Sequence, residues 1–290
     1  MSEENEVADA KSCCASCGIA EIDDIKLKDC DGCDLVRYCS GECQNNHKLQ
    51  HKKECEKRAA ELRDELLFKQ PEDSHLGDCP ICSLPMPFDP RRYITYECCS
   101  KIVCMGCVLA NGVREKKAAK CLSCPFCRNT AFIPKSTKDL HKMRMKRVKA
   151  NDPVAMCEEG IQQYKKGYYS RSFDYYSKAA ELGDVKAHFK LALLYLEGKG
   201  VEKDKKKEIH HMEEAAIGGH PHARVLLGIE EYSKNNLDRA VKHWIISATQ
   251  GYDGAIKALM DGFKEGYVEK EELDETKSPQ RKAAEIPVRG

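Results

Sequence analysis

Residues 179–223 read AAELGDVKAHFKLALLYLEGKGVEKDKKKEIHHMEEAAIGGHPHA, and one short phrase occurs in them twice. Ala179-Ala180 is followed by Gly183 and, four residues on, by Ala187; Ala215-Ala216 is followed by Gly219 and then by Ala223. The phrase continues outward in both directions. ISATQG ends at Gly251 with Ala255 four residues beyond, and Ala155 opens the series 32 residues before Ala187. The two glycine steps are 36 and 32 residues. Such a period marks stacked helix–turn–helix units. Small residues let neighbouring helices approach closely, and a glycine just past a helix closes its last carbonyls. One helix pair cannot bury its apolar face alone, so the units are expected to stack into a solenoid over residues 152–266.

These residues resemble Sel-one-like repeats, which are related to the tetratricopeptide repeat. The second unit carries the likeness best. Tyr195, Gly198, Gly200, Val201 and Asp204 stand where the family pattern has them, whereas Lys207 replaces an alanine. The first unit lacks the Gly-x-Gly-Val turn, and the third has SKNNLD in its place. The fourth unit begins at Ala255 and runs into KEELDETKSPQRKAAE, so residues 267–290, with Pro279 and Pro287, are expected to form a cap or a flexible tail. The resemblance implies a protein-binding scaffold.

Before Asp152-Pro153 the texture is different. Of 18 cysteines, 17 precede residue 130. They fall into Cys14-x2-Cys17, Cys30-x2-Cys33, Cys39-x3-Cys43, Cys79-x2-Cys82, Cys104-x2-Cys107 and Cys124-x2-Cys127, with His51-x3-Cys55 among them. A C-x2-C loop puts two thiolates on one tetrahedral ion, and two such pairs fill its shell. The competing account is a disulfide framework, which needs an oxidising compartment and a secretory signal. The opening residues, MSEENEVADAK, are acidic and have no apolar core, so an intracellular zinc protein is expected, cytoplasmic or nuclear. Structural zinc contributes on the order of 10–16 kcal/mol to the folding of small peptides. Segments this poor in large apolar residues could not otherwise build a core. The fold class expected is therefore mainly α, with two small zinc-stabilised cross-brace modules before the solenoid.

The stretch CASCGIAEIDDIKLKDCDGCDLVRYCSGECQNNHKLQHKKEC, residues 14–55, resembles a MYND zinc finger. Tyr38-Cys39-Ser40, Cys43-Gln44 and His51-Lys52 with Cys55 match the family pattern; Lys48 stands where the family commonly has tryptophan. The resemblance implies that Cys14, Cys17, Cys39 and Cys43 hold one zinc and that Cys30, Cys33, His51 and Cys55 hold another. It also implies binding of short, often proline-containing peptides. Ser40 is a candidate helix N-cap, and on the helix after it His51 and Cys55 stand one turn apart on one face. His47 lies on that face too and is a rival ligand, and Cys13 is an extra thiol. No strand-rich region is long enough to house a methyltransferase domain.

CPICSLPMPFDPRRYITYECCSKIVCMGCVLANGVREKKAAKCLSCPFC, residues 79–127, resembles an all-cysteine RING finger. The resemblance implies one zinc on Cys79, Cys82, Cys104 and Cys107, and a second on Cys98, Cys99, Cys124 and Cys127. Adjacent ligands such as Cys98 and Cys99 are geometrically tight, and Cys121 is a further candidate. The expected content is four zinc ions, two per finger. The family holds a charged ubiquitin-conjugating enzyme in a reactive geometry, so its catalysis is positioning. It does so with an apolar residue between the first two ligands, a proline after the seventh and an arginine after the eighth. Ile81, Pro125 and Arg128 occupy those positions, and an exposed common face is required of them. Ile81 packing on the zinc loop, Pro125 shaping a knuckle and Arg128 as a solvated charge are the plainer readings.

The remaining features bound the answer. Charged residues make up 33% of the chain and nearly cancel, at a net charge of +1, which speaks against a uniformly basic nucleic-acid binder. The basic linker, with Lys138, Lys142, Arg144, Lys146, Arg147 and Lys149, lacks interleaved aromatics and is expected to be a solvated helix between domains. Cys157 is expected to be a small buried residue. No run approaches the roughly 18 apolar residues of a membrane span, and no nucleophile–base–oxyanion constellation stands out. The expected organisation is a disordered segment 1–12, a first finger 13–55, a helical linker 56–75, a second finger 76–134, a basic linker 135–151, the repeats and the tail. Two functions follow: a RING-type ubiquitin ligase whose other modules recruit substrate, or a non-catalytic adaptor in which all three modules bind protein.

Overall fold

The computed structural model describes residues 13–22, 24–118, 123–129 and 136–276. Cys121, the segment 1–12 and the tail from residue 277, with Pro279 and Pro287, lie outside the described residues. The chain forms two compact units, Met1–Lys69 and Gln70–Gly290.

The first unit is a knuckle-rich finger followed by one long helix. Strands β1 (Lys28–Asp29) and β2 (Arg37–Tyr38) pair antiparallel. Cys14, Leu27 and Tyr38 form the small core. Helix α1 (Gly41–Phe68) starts where Ser40, in extended backbone, accepts the Cys43 N–H on its hydroxyl at 3.2 Å. Gln70 precedes Pro71, which disfavours further helix. The helix is polar nearly all round. Arg58 ties it to the finger by donating to Asp34 at 2.8 Å, and it also meets Glu65 at 2.9 Å.

The second unit begins with another finger. A 3-10 turn (Pro90–Arg92) leads into β3 (Tyr93–Thr95), which pairs antiparallel with β4 (Ile102–Cys104) and is followed by α2 (Met105–Lys117). Cys79, Met86, Tyr96, Val103 and Cys124 form its core. Helix α3 (Thr137–Lys149) leads to the repeats. These are the pairs α4 (Pro153–Lys165) with α5 (Tyr169–Glu181), α6 (Val185–Glu197) with α7 (Lys205–Ile217), and α8 (Pro221–Ser233) with α9 (Leu237–Thr249). The last pair among the described residues joins α10 (Asp253–Glu265) to the shorter α11 (Lys270–Glu275).

The repeat phrase has a direct structural meaning. Ala155, Ala187, Ala223 and Ala255 are the third residues of α4, α6, α8 and α10, and none is more than 3% exposed. Asp152, Asp184 and His220 cap three of these helices by accepting the alanine N–H. Gly183, Gly219 and Gly251 end α5, α7 and α9 at φ of 84°, 82° and 85°, a conformation glycine adopts without strain. Gly160 and Gly228 make room for rings: a Cβ there would lie 2.5 Å from Tyr176 and 2.3 Å from Trp244. Successive units are also latched alike, Tyr164 donating to Glu197 at 2.9 Å and Tyr232 to Glu265 at 3.3 Å.

One expectation is corrected here. The basic linker is not simply a solvated helix. Lys138, Lys142, Lys146 and Lys149 are exposed, but Arg144 is 6% exposed. Its guanidinium bonds Glu97 of the second finger and Glu159 of α4, each at 2.9 Å. A buried guanidinium needs such partners because its desolvation is otherwise uncompensated. The segment before the second finger docks as well, with the His75 N–H donating to the Gly219 carbonyl at 3.2 Å. His75, Phe88, Tyr252, His222, Phe189 and His220 then close a circuit of ring contacts, with centroids 4.2 to 6.2 Å apart. Cys157 is buried at 1% exposure, as a small core residue would be.

Candidate metal centres

Three of the five C-x2-C loops share one backbone turn. In Cys14–Gly18, Cys79–Ser83 and Cys124–Arg128 the residue after the second cysteine is left-handed, at φ of 75°, 53° and 60°. Its N–H donates to the carbonyl of the first cysteine at 2.8, 2.8 and 3.0 Å. This tight turn aims both sulfurs the same way and leaves further N–H groups facing them. At Cys14, burial opposes the thiolate, yet N–H groups of Cys39, Cys17 and Ser16 outweigh it and bring the thiol down to about 6. At Cys79 burial is likewise outweighed by N–H groups of Cys104, Cys82 and Ile81, and the thiol falls to about 7. Donors pointed at sulfur favour the thiolate, the form that binds a metal.

Among the described residues four groups of donors result: Cys14, Cys17, Cys39 and Cys43; Cys30, Cys33, His51 and Cys55; Cys79, Cys82, Cys104 and Cys107; and Cys98, Cys99, Cys124 and Cys127. Within each group all donor atoms lie within 4.8 Å of one another. Zinc bonds sulfur at about 2.3 Å, so the sulfurs around one tetrahedral ion stand about 3.8 Å apart. Cys17–Cys39 and Cys39–Cys43 are separated by 3.6 Å, Cys30–Cys55 by 3.7 Å and Cys82–Cys104 by 3.8 Å. In the last group Cys98–Cys127 measures 3.5 Å and Cys99–Cys124 3.9 Å. His51 Nε2 is 3.2 Å from Cys33 Sγ. The donor sets and their spacing fit zinc.

The adjacent pair has a local explanation. The Tyr96 carbonyl accepts the N–H of both Cys99 and Ser100, at 3.2 and 2.7 Å, with Ser100 left-handed at φ 57°. This coil turns two consecutive side chains toward one point, and their sulfurs sit 4.0 Å apart. The rival ligands lie elsewhere. His47 Nδ1 meets the Tyr38 hydroxyl at 3.0 Å, and its ring stacks on His51. Cys13 is in none of the four groups. Lys48 is exposed.

The three residues of the expected recruiting face are not alike. Ile81 is 44% exposed, and Arg128 is exposed. Pro125 is buried, against the requirement of exposure placed on it. Arg128 donates to Asn111 Oδ1 at 3.1 Å, and Arg114 donates to the same oxygen at 2.8 Å. Asn111 and Arg114 were not singled out by motif, because no spacing rule marks them. Their neighbour Glu115, buried on α2, accepts the Ser123 N–H at 2.9 Å and also its hydroxyl, which pins the last knuckle to the helix.

Residues 14–55 match the model of the MYND finger. Residues 155–184, 185–220 and 222–252 match that of the Sel1 repeat. Neither match extends over residues 76–134. Among solved structures, a Sel1 repeat protein from Oxalobacter formigenes is similar at 24% identity and a TM-score of 0.45, covering 52% of this chain and 67% of that one. A protective antigen of uropathogenic Escherichia coli strains, displaying an SLR fold, is similar at 21% identity and a TM-score of 0.40. That likeness covers 51% of this chain and 33% of the antigen. No curated protein matches the chain. The chain is thus a modular protein with a MYND finger, further metal-ligand clusters and Sel1 repeats, modules of a kind that bind other proteins. Among the described residues no helix is long and apolar enough to cross a membrane.

Proposed function

We propose that this chain is a zinc-organised adaptor, with four zinc ions held by the sixteen residues of the four donor groups. Zinc there is structural: with four protein ligands its shell is closed, and it contributes folding energy rather than a reaction. The observation that carries the adaptor reading is the buried contact of Arg144 with both Glu97 and Glu159. It couples the second finger to the first repeat, so that two binding modules present their surfaces at a set spacing. The MYND finger contributes a third surface for peptide segments.

A second reading treats residues 76–134 as a RING-type ligase module that holds a charged ubiquitin-conjugating enzyme. The exposure of Ile81 and Arg128 favours it, and the burial of Pro125 weighs against it. Ubiquitin discharge from a panel of charged conjugating enzymes separates the two. The adaptor predicts no acceleration by the zinc-loaded chain. Acceleration that is lost in Ile81→Ala and in Arg128→Ala at unchanged zinc content would establish the ligase instead.

A further inference from the structure

The second repeat unit carries two histidines where the first carries none. His188 follows Ala187 on α6, and His211 stands four residues before Ala215 on α7. In the first unit the same two places hold Met156 and Tyr175, and in the third Arg224 and His243. Met156 and Tyr175 pack in one apolar cluster, so a helix pair of this kind needs histidine at neither place. Met156 and Arg224 are buried, at 5% and 0% exposure, whereas His188 and His211 are both half-buried. The histidine pair is therefore within reach of solvent.

The two rings meet nitrogen to nitrogen. His188 Nδ1 and His211 Nδ1 are 3.1 Å apart, with ring centroids 5.3 Å apart. Burial holds both rings below the ordinary imidazole value, so both are neutral at pH 7. A neutral imidazole has one N–H and one lone pair. One proton thus lies between the two nitrogens, and a cation takes its place once both rings carry their hydrogen on Nε2. Zinc binds imidazole nitrogen at about 2.0–2.1 Å, so two nitrogens on one tetrahedral ion stand about 3.3 Å apart. The pair is already near that spacing. Tyr195 stacks on His211, 9° from parallel with centroids 5.7 Å apart, and so fixes the plane of its ring. Glu214 stands one turn beyond His211 on the same helix, and its charge favours positive charge on both rings. Lys207, with Nζ 5.5 Å from the Tyr195 ring centroid, opposes it.

We propose that His188 Nδ1 and His211 Nδ1 form a further metal site, within the second repeat, for a divalent transition ion such as zinc or nickel, with Glu214 or water completing its shell. Imidazole nitrogen suits these ions, whereas magnesium and calcium take oxygen donors. Among the described residues the pair is in none of the four groups of three or more donors. Its shell is therefore open, and it holds metal more weakly than four protein ligands do. Dialysis empties it while the fingers keep their zinc. When filled, it links α6 to α7 and stabilises the repeat by mass action.

The test is isothermal titration of nickel chloride into the full chain, dialysed so that only its finger zinc remains, with native mass spectrometry of the product. One nickel per chain is expected, at a Kd below about 100 μM and beside an unchanged zinc content. Glu214→Gln should weaken binding severalfold, and Lys207→Ala should tighten it. His188→Met together with His211→Tyr installs the residues of the first unit. That chain should keep its helical circular dichroism while nickel affinity falls at least about tenfold, which separates ligand loss from unfolding. His222→Gln, at an exposed histidine of α8, should bind as wild type. Four results overturn the proposal: no saturation of the wild type below about 1 mM, wild-type affinity in the doubly substituted chain, an equal loss in His222→Gln, or nickel that enters only as zinc leaves.

Discussion

At the scale of single residues, the chain depends on a few atoms that have no substitute. Cys30 is one. Replacing it by serine removes a thiolate from a four-donor group, and the first finger has little apolar core to fall back on. Cys30→Ser is expected to make residues 14–55 protease-sensitive while the solenoid keeps its helical circular dichroism; unchanged cleavage there would count against the assignment. Gly200 is another. A Cβ there would lie 2.4 Å from the Tyr169 carbonyl carbon, and φ is 73°, so Gly200→Ala meets backbone as well as strain. A loss of about 2 kcal/mol is expected in urea unfolding of the repeats. Arg144→Ala would take from the buried Glu159 carboxylate its guanidinium and leave it the Gln163 amide and His141, at a cost of about 3 kcal/mol. Adding Glu159→Gln should restore part of it, and strictly additive losses would mean that the two side chains are not coupled.

At the scale of elements, the helices and the fingers answer to different conditions. The repeats are held by alanine seams, aromatic rings and caps, none of which uses metal. Chelation is therefore expected to abolish protection of the fingers in hydrogen exchange while leaving α6 to α9 protected. The contact between the His75 segment and α8 answers to pH instead. Burial holds His75 down to about 4, against an ordinary 6.5, and holds His220 well below the ordinary value. Lys186 and Lys190 add positive charge near His220 and oppose its protonation. A folded-state pKa below the unfolded one means that the unfolded chain binds the extra protons first. This contribution is complete above pH 6.5 and is lost as pH falls from there toward 4. The melting temperature of the second unit should drop over that window. His75→Phe keeps the ring and should flatten the drop; an unchanged slope would place the titrating groups elsewhere.

At the scale of the whole molecule, the question is what sits together and what it recruits. Native mass spectrometry should find four zinc ions per chain, and two would mean that one whole finger or half of each is misassigned. The cysteine-rich region around Glu97 is tied to the first repeat through Arg144 of α3, so on the proposed reading the partners of the two meet at one body. A crosslinked pair of partners captured by the full chain, and not by a chain carrying Arg144→Ala, would display that spacing directly.

How much of this was legible in the chain follows from the range of each interaction. Metal-ligand groups, N-caps and glycine turns act over a few residues or recur at a set period. The spacing of the cysteines, Ser40 before α1 and the alanine–glycine phrase could therefore be read without a structure. Even SKNNLD was decipherable in principle, since Asn235 at φ 63° supplies the left-handed turn that glycine supplies at Gly198. The charge of Arg144 looked like solvated linker because its partners are 47 residues before it and 15 after it, and no periodicity connects them. The same holds for the burial of Pro125 and for the meeting of Arg114 and Arg128 at Asn111. Local spacing alone determined that this is a zinc-knuckle and helical-repeat protein. Which cations are buried and which apolar residues stay in water depends on side chains brought together from distant segments, and only the tertiary structure decided that.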